Sequence, residues 1–208
     1  MMQLINSSIV YKIKKNYFTN FVLSSIRDKI KKDIAKPKDN LRISLTLPVF
    51  IEYSEGYSLQ FFPDRLIIEA TYPDQIELEK IDAPPDSLLQ TAQNFIEDVL
   101  PLECTAIGLN FKVWIPEKSI AATVIQSDKD IISMKYTMKR KDYIIINNVN
   151  KASIESENKT KSEGLLFDSN FHFEIEKENT KKYINNILIK RKECLNDLRG
   201  LLNELTIS

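Results

Sequence analysis

YSLQFFPDRLIIEATY, residues 57–72, is the stretch from which the rest of the chain is read. Two runs rich in Leu, Ile, Phe and Tyr flank Pro63-Asp64. Proline presets the first dihedral of a tight turn and aspartate tolerates the next, so the segment predicts a β-hairpin with strands over 57–62 and 65–72. Glu55-Gly56 turns the chain before it, and residues 41–53 read as a preceding strand. Further strands are expected over 105–115, closed by Pro116, and over 131–138, 142–150 and 165–175. A polar, turn-rich stretch separates the last two at 158–164, and residues 73–86 read as an acidic, proline-bearing connection.

Three helices are expected around these strands. The first starts at Asn16 or Thr19 with Phe18, Val22, Ile26, Ile30 and Ile34 on one row, and Pro37 ends it. The second is capped by Asp86 and stopped by Pro101. The third is long, from Asn179 or Thr180 to about Leu205, with Ile184, Leu188, Leu195, Leu198 and Leu202 spaced by fours and threes. Arg191 interrupts that seam, and docking of the helix on the core is weighed ahead of a dimerising helix. Strands that come in adjacent runs, without strict alternation with helices, predict an α+β fold. Two shorter helices and one long C-terminal helix are expected to accompany these strands.

The chain has 208 residues, 43% of them apolar, enough to fold around a core and of a size for one compact unit. Within it, residues 1–116 read as a first half with a basic N-terminal arm and helix, and 117–208 as a second half ending in the long helix. Cys104 and Cys194 are the only cysteines, too few for a disulfide framework or a structural zinc site. The first fifteen residues lack an uninterrupted apolar run, and no stretch approaches the ~20 apolar residues of a membrane span. A cytoplasmic protein that does not engage membranes is expected.

Zero net charge conceals a polarity. Residues 1–42 hold ten basic and three acidic side chains, 43–110 two and twelve, and 111–208 seventeen and fourteen. A basic arm followed by an acidic segment suits mutual attraction within the protein or between subunits. It also suits nucleic acid, through Lys12, Lys14, Lys15, Lys29, Lys31 and Lys32 with the cluster Lys139, Arg140 and Lys141 at a hairpin tip beside Tyr136 and Tyr143.

The 57–68 hairpin, the run Ala106-Ile107-Gly108-Leu109-Asn110-Phe111 and the run Gly164-Leu165-Leu166-Phe167-Asp168 together carry a resemblance. They resemble a sporadically distributed, uncharacterised prokaryotic family with a Gly-Leu-Arg-Tyr-like strand and a later aspartate-bearing strand, with Asn110 standing where that motif has arginine. The resemblance covers about residues 40–205 in element order. It implies duplicated α+β halves built on antiparallel curved sheets and no assigned activity, and its sporadic distribution suggests accessory roles in mobile or defence-linked gene sets.

The four glycines form no phosphate-cradling loop, and no nucleophile-elbow pattern is present. His172 is the only histidine, so acid–base or metal chemistry rests on the strand Asp168, Asn170, His172, Glu174. Asp168, His172 and Glu174 are the candidate metal or acid–base residues, weighed against the wet face of a strand whose phenylalanines pack inward. Cys194, beside Arg191 and Lys192, is weighed as a reactive thiol against a small buried filler. No catalytic residue and no cofactor is assigned. The leading expectation is a non-catalytic protein that contacts another protein or a second copy of itself through Ile184, Leu188, Leu195, Leu198 and Leu202. Nucleic-acid binding is the second, and a metal-assisted enzyme the third.

Overall fold

The computed structural model describes residues 2–13, 48–52, 57–77, 104–117, 133–155, 161–176, 182–183 and 186–206. Its strands are β1 (Gln3–Ile13), β2 (Val49–Glu52), β3 (Tyr57–Phe62), β4 (Arg65–Glu77), β5 (Cys104–Pro116), β6 (Ser133–Lys139), β7 (Ile144–Glu155) and β8 (Lys161–Glu174), followed by helix α1 (Ile187–Leu205). All eight strands form one sheet in the order β2-β3-β4-β1-β5-β8-β7-β6. Every pairing in it is antiparallel. Outward from the β1–β5 seam, the two sets of four strands are laid down in the same order.

This corrects the expected fold class. Among the described residues the architecture is one antiparallel sheet with a single C-terminal helix, not an α+β arrangement of curved sheets and several helices. The physical reason lies in β1, which the basic-arm reading passed over. Ser7, Ile9, Tyr11 and Ile13 alternate with Ser8, Val10 and Lys12, and the first set is buried. That strand pairs with β4 on one side and β5 on the other and fuses all the strands into one sheet. The shorter helices expected over 16–37 and 86–100 lie outside the described residues. So does the boundary region after 117, while β5 itself pairs with both β1 and β8.

The hairpin lies where it is expected, with Phe62 opposite Arg65 across the Pro63-Asp64 turn. Strand β4 continues through Pro73 to Glu77, into the stretch read as a connection. The register explains how: between Asn6 and Leu4 the β1 partners jump from Thr71 to Ile76, so β4 carries extra residues there and Pro73 has no regular ladder position to fill. Likewise β8 begins at Lys161, inside the stretch read as turn-rich, because Lys161 to Gly164 pair with Glu155 back to Ala152.

One face of the sheet is the core. Ile9, Leu66, Leu109, Phe111, Phe167 and Phe171 are buried there with Leu195, Leu198 and Leu202 of α1. Phe111 meets Phe171 edge-on, with ring centres 5.7 Å apart at 82°. Tyr143 leans on both Phe171 and Phe173, at 5.8 and 5.0 Å. The helix is expected from residue 179 or 180; the continuous described run is Ile187–Leu205, Lys182 and Tyr183 ahead of it are helical too, and the Asn186 backbone N–H donates to the carbonyls of both.

Candidate interaction surface

The C-terminal seam packs inward. Leu195, Leu198 and Leu202 are each at most 2% exposed, so their apolar surface is used within this chain. Ile184 lies outside the described residues, and Leu188 is placed in α1 by its backbone alone. Arg191, which reads in the sequence as a break in the seam, is itself buried. Its Nη2 donates to Ser7 Oγ at 3.1 Å, its guanidinium lies 5.4 Å from the centre of the Phe111 ring, and Ser7 Oγ sits 3.2 Å from the Tyr72 hydroxyl. A guanidinium is tolerated in a core only where polar partners and ring faces meet it. Arg191 thereby ties α1 to the middle of the sheet at β1 and β5.

A second helix flank, carried by Lys190 and Asp197 seven residues apart, runs along the β6–β7 hairpin. Lys190 Nζ lies 3.8 Å from Asp142 Oδ2, and Asp197 Oδ2 accepts from the Tyr143 hydroxyl at 2.6 Å and from Arg140 Nε at 3.4 Å. Burial, followed by the Asp197 hydrogen bond, pushes the Tyr143 hydroxyl pKa well up. Of the expected basic tip, Arg140 is turned to the helix while Lys139 and Lys141 remain exposed. Lys12 is exposed on β1, and Lys14, Lys15, Lys29, Lys31 and Lys32 lie outside the described residues.

The face of the sheet away from α1 carries a hydrogen-bonded polar row. Glu69 accepts from Gln60 and, at 2.6 Å, from Asn6 Nδ2; Asn110 Nδ2 donates to Ser8 Oγ at 3.0 Å; Asn170 Nδ2 donates to Asn110 Oδ1. Cross-strand register brings these together from five strands, β3, β4, β1, β5 and β8. Single-residue motifs do not reveal such a row; it becomes visible only once strand order is known.

Asp168, His172 and Glu174 do lie on that face, as their alternation predicts, with His172 and Glu174 at neighbouring positions of it and Asp168 set apart beyond Asn170. Asp168 sits between Lys112 and Asn148, His172 between Gly108 and Ile144, and Glu174 beside Ala106. Asp168 and His172 are four strand positions apart, about 13 Å, with Asn170 engaged between them. Among the described residues, no group of three His, Cys, Asp or Glu side chains is placed to hold a metal ion.

Three large apolar side chains are exposed among the described residues: Phe50, Met134 and Ile189. Two of them belong to the terminal strands, Phe50 to β2 and Met134 to β6. Scattered exposed apolar residues are ordinary, but these two lie on the strands that end the sheet among the described residues.

Both thiols are buried and unbridged. Burial pushes the Cys104 thiol up to about 12, and burial followed by the Asp197 and Glu193 carboxylates raises that of Cys194. Cys194 is therefore the small buried filler, held as neutral thiol. In the folded protein neither thiol is expected to react with an aromatic disulfide reagent near neutral pH, and both are expected to react after denaturation. The linkage has a definite sign: above pH 9.0 the unfolded chain loses thiol protons that the native chain retains, so stability falls as pH rises from 9.0 towards about 12. Urea midpoints measured across that range test it; a flat profile with fast native labelling contradicts it.

No protein-family model matches the chain, and no curated protein matches it. Among the described residues, no helix is long and apolar enough to cross a membrane.

Proposed function

We propose that this is a non-catalytic interaction protein whose contact surface is a terminal strand of the sheet, with a second copy of the chain as its partner. The observation that carries this reading is the exposure of Met134 on β6, the last strand of the sheet, while the helix seam is buried. A terminal strand presents a row of backbone donors and acceptors that a further strand can use. Read antiparallel to itself about Tyr136, β6 sets Met134 against Met138 and Tyr136 against Tyr136. Lys135 then faces Thr137 and Lys139 faces Ser133, so no lysine opposes a lysine. Two-fold pairing of this kind is the commonest route to a homodimer.

The reading includes a cytoplasmic setting, which the two free, buried thiols support. It also includes membership of the family named by the resemblance and an accessory role in a mobile or defence-linked gene set. The run Gly108-Leu109-Asn110-Phe111 at the centre of β5 supports this, and inspection of neighbouring genes tests it.

Light scattering after size exclusion tests the contact. The mass is expected to rise towards twice the monomer as concentration increases. Met134→Lys, at an exposed position, is expected to keep the protein monomeric, and Ile189→Lys to leave the dimer intact. A strict monomer at every concentration, or a dimer abolished by Ile189→Lys alone, overturns the reading.

A further inference from the structure

At the opposite end of the sheet, on the face away from α1, we infer that Phe50, Phe62, Arg65 and Lys12 form a platform that binds single-stranded nucleic acid. Phe50 is 52% exposed, unusual for a phenylalanine that has neighbours on its own strand and the next. Its ring meets Phe62 edge-on, with centres 5.8 Å apart at 86°. The Arg65 guanidinium lies 4.7 Å from the centre of the Phe62 ring. Lys12 is the cross-strand partner of Arg65 and is exposed. Register thus sets Phe62, Arg65 and Lys12 in one row across β3, β4 and β1, and Phe50 on β2, paired with Gln60, meets the end of that row diagonally, so the four side chains span four adjacent strands over about 14 Å at the usual strand spacing.

That sequence of groups fits a flexible polyanion with flat bases. Base stacking on an exposed ring tolerates any sequence, and arginine and lysine alongside track the phosphates. The Phe62 face is covered by Arg65, whereas the Phe50 ring is open, so Phe50 is the stacking residue and Phe62 with Arg65 its support. The charge for this occupant comes from the platform's own cations, Lys12 and Arg65; Lys12 belongs to the segment 1–42 with ten basic and three acidic residues, whereas β2, β3 and β4 belong to the acidic segment 43–110. Asp64 lies 3.9 Å from Arg65, with both side chains about half exposed or more, a weak pair that phosphate can displace. Gln60, opposite Phe50 across β2 and β3, is committed to Glu69 and Ser58 and leaves the recognition to stacking and charge.

The test is fluorescence anisotropy of a labelled oligo-deoxythymidine against the whole purified chain, at low and at moderate salt. Binding is expected at low salt and is expected to weaken steeply as salt rises. Phe50→Ala is expected to weaken it roughly tenfold, with Phe50→Tyr close to wild type. Arg65→Ala is expected to lower affinity and reduce the salt slope by about one. Both side chains are exposed, so these variants fold. Absence of binding at low salt overturns the inference, as does a Phe50→Ala protein that binds like wild type or a duplex that binds as tightly as the single strand. A Phe50→Ala protein altered in self-association, with no oligonucleotide bound by either form, overturns it too and assigns this end to protein contact. The β6 contact is read through Met134→Lys, so either proposal can fail without the other.

Discussion

Phe171→Ala is expected to remove about 3–5 kcal/mol of folding stability. Phe171 is fully buried on β8, its ring packed edge-on against Phe111 and tilted against Tyr143. Those contacts join β5, β8 and the β6–β7 connection beneath α1, so truncation opens a cavity where the sheet and the hairpin meet. A domain of this size has on the order of 5–15 kcal/mol to lose, which brings the variant close to unfolding. Urea denaturation reads the change directly. Ile189→Ala, on the exposed flank of α1, serves as the comparison and is expected to shift stability by no more than about 0.5 kcal/mol. Equal effects at the two positions would mean that the core is not where the sheet and helix meet.

Gly164→Ala is expected to cost about 3 kcal/mol for a different reason. Gly164 lies on β8 opposite Pro116, and a Cβ there would run into the carbonyl oxygen of Ile115 and approach the Trp114 ring to 2.6 Å. The carbonyl belongs to the neighbouring strand and cannot swing aside as a long side chain would, so the β5–β8 ladder has to part locally. Trp114 is the only tryptophan and is buried, so its fluorescence reports the displacement. A lower unfolding midpoint together with red-shifted emission is expected. Unchanged stability with unchanged emission would contradict the close packing of β5 on β8.

Local chemistry made parts of this fold legible. The Pro63-Asp64 turn fixes the β3–β4 hairpin because proline and aspartate act on adjacent dihedrals, and the alternation of Phe167, Phe171 and Phe173 with Asp168, Asn170 and His172 assigns the two faces of β8. The role of β1 was harder to see because its alternation is carried partly by serines. Ser7 occupies a core position through its bond to Arg191, a partner 184 residues away. The same pairing explains Arg191 in α1: a charge interrupts the apolar seam in sequence, and Ser7, Tyr72 and the Phe111 ring give its guanidinium a buried setting, while the docking of the helix on the core follows from the leucine spacing itself.

The candidate surfaces follow the same division. Asp168, His172 and Glu174 share a face, as strand period dictates, but only the three-dimensional placement shows that among the described residues they form no group that could hold a metal ion. The phenylalanine and arginine that flank the hairpin turn are visible in sequence as Phe62 and Arg65, whereas Phe50 joins them only through the pairing of β2 with β3. Strand order carries this information, and neither periodicity nor composition contains it.

The central claim is that contact with another molecule of this chain is made by a terminal strand and not by the C-terminal helix. Hydrogen–deuterium exchange on dilute and concentrated protein tests it most directly, because a strand added at β6 gives partners to amides that have none among the described residues. Slower exchange confined to residues 133–139 on concentration, with α1 unchanged, is the predicted result. Slower exchange along 187–205 with β6 unchanged would contradict it.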